Sequence, residues 1–333
     1  MSPRILPILF LAALGSCRSV PTEPVAPRPD PGALRRERAP AEIWTGDQIV
    51  VCGRRFAVDA PVVLWFEEPR YDAYRRTPRF ASTGGEAGQP GELRYRPGRA
   101  VSDPALRQRV ATEGWSLEAL RGVVDQLVLH YDVCGTSRAC FRVLHDQRNL
   151  SVHFLLDVDG TIYQTLDLQE QAWHARQANP RSIGIEIAQI GAYPPEQEEP
   201  LASWYRTSPQ GTRLVLPEGA REHLRRPDFS SRPARSERIE GEIQGARWAQ
   251  FDFTPEQYAS LVALTRTLLE AFPNLRADAP RATDGSVRTD VLTDEEFAAF
   301  SGILGHYHVS RDKRDPGPAF DWEPFLAAVR AQD

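Results

Sequence analysis

Apolar residues in the first third of the chain fall in short runs, Ile49 to Val51, Phe56 to Val58 and Val62 to Phe66, with Gly53 and Pro61 as breaks. Runs of that length and spacing predict short strands. Leu127 to Tyr131, Val152 to Asp157 and Thr161 to Gln164 read as further strands, and Ile183 to Ala188 as another, apolar at nearly every position but one. Val158-Asp159-Gly160 between the second and third predicts a hairpin. Ser102-Asp103-Pro104 and Ser116-Leu117-Glu118 read as helix starts, and a helical stretch is expected from about Ser137 to Asp146. Thr254-Pro255-Glu256 offers a cap, a first-position proline and an acidic first turn. Tyr258, Leu261, Val262, Leu264, Leu268, Leu269 and Phe272 then keep helical spacing. Ile303 to His308 reads as a final strand, and residues 192–250, polar and proline-broken, as a surface insertion. The expected fold is α/β: a mixed central β-sheet flanked by helices over residues 116–333, with a small β-rich N-terminal accessory region over 41–115.

Composition narrows the partners. The chain has 333 residues, 41% hydrophobic, enough for one large core or two smaller ones. Its 40 basic and 45 acidic residues give a formal charge of -5, which argues against a nucleic-acid binder. A monomer is expected. Lys313 is the only lysine; every other basic residue is arginine.

The N-terminal segment reads as an address. After Arg4, the apolar run Ile5 to Leu14 is about half of the ~20 residues a membrane-spanning helix needs, but suits a secretory signal. Leu14-Gly15-Ser16-Cys17 resembles the bacterial lipoprotein box. That resemblance implies a signal peptide over 1–16, a lipidated Cys17 and a membrane-anchored protein facing the periplasm, at the outer membrane. The alternative is an ordinary signal peptide with an incidental cysteine. Pro21, Pro24, Pro27, Pro29, Pro31 and Pro40 make the segment up to residue 40 an extended tether. Cys52, Cys134 and Cys140 remain; three cysteines allow three single bridges, and spacing does not choose among them. Cys52, inside an apolar run, reads as a buried free thiol.

Polar residues on apolar strands need an account. His130, Glu186, His306 and His308 are four of these, and Asp315 follows on a loop. Histidines and a carboxylate at strand ends suit a zinc site with three protein ligands and one open position. A lone strand histidine is more often a hydrogen-bonded core residue, and no HExxH spacing is present. His306 and His308, two apart, would share one face of a strand and compete as ligands.

The stretch from His130 onward resembles the zinc-dependent type-2 N-acetylmuramoyl-L-alanine amidases, which share their fold with a phage lysozyme and the peptidoglycan recognition proteins. The matching pieces are Leu129-His130, Val152-His153-Phe154 with Asp159-Gly160-Thr161, Ala172-Trp173-His174-Ala175 and Ser182-Ile183-Gly184-Ile185-Glu186. Gly305-His306 and Lys313-Arg314-Asp315-Pro316-Gly317-Pro318 complete the set. The resemblance implies Zn2+ held by His130, His306 and Asp315, with His306 preferred to His308 because a glycine precedes it. It also implies Glu186 as the acid/base and His174 as a substrate contact; Lys313, a compact charge kept in a chain that otherwise uses arginine, reads as stabiliser of the developing oxyanion, the alternative being a surface salt-bridge lysine. A Cys-x5-Cys in the recognition proteins implies a Cys134–Cys140 disulfide. Two features depart from part of the family: Val152 stands where some members have a catalytic tyrosine, which the anhydromuramyl amidases likewise lack, and the stretch from His306 to Lys313 is slightly short. The implied activity is hydrolysis of the amide between N-acetylmuramic acid and L-alanine in peptidoglycan or a muropeptide. The class-distinct alternative is a recognition lipoprotein without catalysis.

Overall fold

Strand alternation sorts side chains to two faces of one sheet, and that sorting places the site. The computed structural model describes residues 46–80, 91–226 and 228–331; the expectations for residues 1–16, Cys17 and the tether lie outside them. In chain order the strands are β1 Gln48–Val51, β2 Arg54–Ala57, β3 Val62–Leu64, β4 Tyr95–Arg96, β5 Gln126–Tyr131, β6 Phe154–Leu156 and β7 Ile162–Gln164. They continue as β8 Gln171–Ala172, β9 Ser182–Ile187, β10 Tyr205–Ser208, β11 Gly211–Leu214, β12 Ile239–Ile243, β13 Ala246–Gln250 and β14 Gly302–Gly305. The α-helices are α1 Pro104–Glu113, α2 Leu117–Arg121, α3 Ser137–Phe141, α4 Glu199–Trp204, α5 Pro255–Ala271, α6 Asp294–Ala299, α7 His306–Val309 and α8 Trp322–Arg330.

Six strands form the central sheet in the order β14-β5-β9-β6-β7-β3. β14, β5, β9 and β6 run parallel; β7 is antiparallel to β6 across the expected hairpin, and β3 is parallel to β7. The sheet is therefore mixed, as the apolar pattern predicts. Leu127, Leu129 and Tyr131 of β5 and Ile183, Ile185 and Ile187 of β9 join the core that α5 and α8 cover with Leu261, Leu264, Leu268, Phe325 and Leu326. Because successive side chains alternate, Val128, His130, Gly184 and Glu186 belong to the opposite face. Val128 packs there with Ala175, Leu292, Leu304 and Val309.

α5 follows its sequence signal closely. Thr254 caps it, accepting from the Gln257 backbone N–H while Gln257 reaches back to the Thr254 N–H. Each such cap contributes about 1 kcal/mol.

Three expectations change. First, the final strand ends at Gly305, and His306 to Val309 form a single helical turn. Second, residues 192–250 are built structure: two hairpins, β10–β11 and β12–β13, and α4 enclose an apolar cluster of Leu201, Tyr205, Leu214, Leu224, Phe229 and Phe251. Third, no structural boundary falls at residue 115. β3 is an edge strand of the central sheet, and the buried Arg99 donates to the carbonyls of Leu168 and Ser182, the latter at 2.8 Å. The described residues all fall in one compact unit.

Candidate metal centre

The carboxyl ends of three adjacent parallel strands converge on one spot, the place where open α/β sheets bind ligands. His130 is the penultimate residue of β5, Glu186 stands opposite it in register on β9, and His306 follows the last residue of β14. Asp315 arrives from the loop after α7, with its carbonyl accepting from the Tyr307 N–H at 3.2 Å. Gly305 lets that loop approach: a Cβ there would stand 2.8 Å from Pro316 Cδ.

His130 Nδ1, His306 Nδ1 and Asp315 Oδ2 form a nearly equilateral triangle, 3.0 Å between the nitrogens and 2.9 Å from each to the carboxylate oxygen. All three residues are buried, and they are the one His/Cys/Asp/Glu group among the described residues that could hold a metal ion. Three lone-pair atoms so close repel one another unless protons or a cation lie between them. Two ligands of a tetrahedral zinc with bonds of ~2.0 Å lie roughly 3.3 Å apart, close to these edges. Two imidazoles and one carboxylate are also a donor set that zinc takes with a position left open. The residues fit the ion.

The electrostatics agree with that fit. Burial, reinforced by His306, pushes His130 down to about 4, so its ring is neutral near pH 7 and has a lone pair to give. Burial alone would raise Asp315, but His306 beside it and hydrogen bonds with both histidines hold its carboxyl below the usual range. Glu186 is pushed well above the usual carboxylate range by burial and by Asp315 and Asp132, with Lys313 opposing. Its Oε2 has no hydrogen-bond partner. Lys313 is half-buried, and among the described residues no carboxylate lies within ion-pair distance of it. Its charge reaches both Glu186 and His130.

The other expected site residues are placed differently. His308 is fully buried with both nitrogens used, Nδ1 accepting from the Gly305 N–H at 2.9 Å and Nε2 donating to the Arg288 carbonyl at 2.8 Å. The helical turn sends it away from His306, which removes it as a competing ligand. His174 has Nδ1 3.0 Å from His130 Nε2 and Nε2 3.3 Å from Ser182 Oγ, so neither nitrogen is free for a substrate. Cys134 and Cys140 lie in hydrogen-bond contact but are free thiols, so the implied disulfide is not formed in this structure. The turn that holds them is already fixed by Asp132, whose Oδ1 accepts from the N–H groups of Cys134 and Gly135 at 2.8 and 2.9 Å. Cys52 is half-buried rather than buried. Sequence reasoning missed Ser182 and the steric role of Gly184; the serine and glycine two apart in Ser182-Ile183-Gly184 lie on the site face, which alternation could have flagged.

A model of the N-acetylmuramoyl-L-alanine amidase family matches residues 120–318. Among curated proteins, the 1,6-anhydro-N-acetylmuramyl-L-alanine amidase AmpD of Salmonella typhimurium is 32% identical over 78 residues, 23% of this chain and 29% of the relative. The match thus spans under a third of that relative's length. Among solved structures, the E. coli N-acetylmuramyl-L-alanine amidase AmiD, in complex with an anhydro-N-acetylmuramic acid peptide substrate, is 18% identical with a TM-score of 0.35, covering 62% of this chain and 57% of its own. The N-acetylmuramoyl-L-alanine amidase LysC of Clostridium intestinale is 15% identical with a TM-score of 0.32, covering 64% and 89%.

Proposed function

This chain belongs to the N-acetylmuramoyl-L-alanine amidase family, and from that membership we propose that it is a zinc-dependent hydrolase of the amide between N-acetylmuramic acid and L-alanine. The observation that carries the reading is the convergence of His130 Nδ1, His306 Nδ1 and Asp315 Oδ2 beside an unpartnered Glu186 and the lone lysine. His130, His306 and Asp315 would hold the ion. Bound there, zinc supplies a Lewis acid that polarises a carbonyl and acidifies water.

The chain's own groups do the rest. Glu186 Oε2, free of partners and with a raised pKa, takes a proton from the attacking water and returns it to the leaving amine of alanine. Lys313 brings a compact positive charge to the carbonyl oxygen as it becomes an oxyanion. The buried apolar shell around Val128, Leu304 and Val309 excludes bulk water beneath these groups, which strengthens each charge interaction. Substrate is peptidoglycan or a muropeptide derived from it. Cys17 carries a lipid anchor to the outer membrane on its periplasmic side, and the proline-rich tether lets the enzyme reach the wall.

Metal analysis tests the ligand set. The purified protein should carry about one zinc per chain, His130→Ala should lose most of it, and His308→Ala should keep it in whatever fraction folds. Zinc lost with His308 and kept without His306 would reverse the assignment.

A further inference from the structure

The two nitrogens of His130 face opposite ways. Nδ1 meets His306 and Asp315, and Nε2 meets His174 Nδ1 at 3.0 Å. A ligating nitrogen presents a lone pair, so a neutral His130 that binds through Nδ1 carries its proton on Nε2. Two nitrogens 3.0 Å apart share one hydrogen, so His174 Nδ1 accepts it. His174 therefore carries its own proton on Nε2, which faces Ser182 Oγ at 3.3 Å. A doubly protonated His174 would set N–H against N–H. The chain of donors runs one way: His130 to His174 to Ser182.

The ring of His174 is locked into that role from two further sides. The backbone N–H groups of His174 and Ala175 both donate to Asn179 Oδ1, at 3.1 and 2.7 Å. Beneath the ring lies Gly184 of β9, where a Cβ would stand 2.6 Å from His174 Nδ1 and 2.7 Å from Cγ and Cε1. Gly184 has no positive φ to explain it. The glycine is required by the volume of the histidine ring.

We propose that His174 is a positioning residue for the metal: it fixes the Nε2–H tautomer and the ring orientation of His130, and makes Nδ1 a better ligand by accepting the opposite proton. Gly184 is the space that permits it. This rests on the reading of His130 as a zinc ligand, and it gives His174 a task different from substrate contact. Outer hydrogen-bond partners of ligating histidines change metal affinity by ~10–100-fold.

The test compares two substitutions with the same side-chain branching and number of heavy atoms. His174→Leu removes the acceptor, whereas His174→Asn places an amide oxygen close to where Nδ1 stood. Zinc affinity is measured by competition with a chromophoric chelator on the full chain, and thermal melting is followed on the zinc-free protein. Leu should weaken zinc binding by about 10–100-fold, Asn should recover most of that loss, and the two should melt alike without zinc. Gly184→Ala, which displaces the ring without removing it, should weaken binding in the same direction. Equal zinc affinity in wild type and His174→Leu, or equal losses in Leu and Asn, overturns the inference while leaving the ligand set standing. Wild-type protein that binds no zinc overturns the ligand set itself.

Discussion

Two residues that hold no metal, Glu186 and Lys313, are proposed to carry the chemistry. Both are half-buried and neither is tied into an ion pair among the described residues, as expected of groups kept available for reaction. Glu186→Gln should keep zinc and fold and lose turnover by ~10²–10⁴-fold, the usual cost of removing a positioned acid/base. Lys313→Arg is the sharper variant, because the charge stays and only the shape changes. If a point charge is needed beside the site, turnover falls at least about tenfold, ~1.4 kcal/mol in the barrier. Full activity in that variant would return Lys313 to the surface. Polar residues inside apolar strands made His130 and Glu186 legible from sequence, and family motifs added Asp315 and Lys313. His308 was ambiguous because buried Tyr307 continues the apolar run of β14, so nothing in the pattern marks where strand turns into helix. A four-residue helix is too short to show a period. His174 was legible as special but not as what it touches, since that depends on how a loop folds back over β5 and β9.

At the element scale, the parallel strands and α5 could be read because each repeats a period over enough residues. Short N-terminal strands could be read as strands but not as parts of a sheet: β3 pairs with β7 across about a hundred residues, and local pattern carries no pairing information. The apparent boundary near residue 115 was a change in composition, not in structure. A chain beginning at residue 116 should therefore fail to fold. It loses edge strand β3, and it loses Arg99 and Arg94, whose guanidinium groups satisfy buried carbonyls of Leu168, Ser182 and His145. Each buried acceptor left unpaired costs about 1–3 kcal/mol, and several together approach the ~5–15 kcal/mol by which domains are stable. Circular dichroism with thermal melting checks this; a cooperative transition near that of the longer chain would restore residues 41–115 to the status of an accessory region. The packing within 192–250 is hidden from the sequence for a related reason: its apolar residues are sparse and spread over a helix, three strands and the loops between them, so no single run reveals the cluster they form.

At the scale of the whole molecule, the proposal of a lipid anchor on Cys17 can be tested apart from the proposal of amidase activity. The proposed lipid site, Cys17, is separated in sequence from the folded unit by the proline-rich residues 18–40. Cys17→Ser should abolish lipid labelling and membrane fractionation while leaving catalysis intact, because anchor and site share no residue. Unchanged labelling would mean the cysteine is not the acceptor. Hydrolysis is read by mass spectrometry of muropeptides incubated with the purified enzyme, with zinc present, after chelation, and after zinc is restored. The proposed activity predicts free stem peptide beginning with L-alanine, together with the peptide-free sugar, in the first and third conditions and not in the second. Muropeptide that is bound but left whole with zinc in place would contradict it, and would make this chain a recognition protein built on an amidase fold.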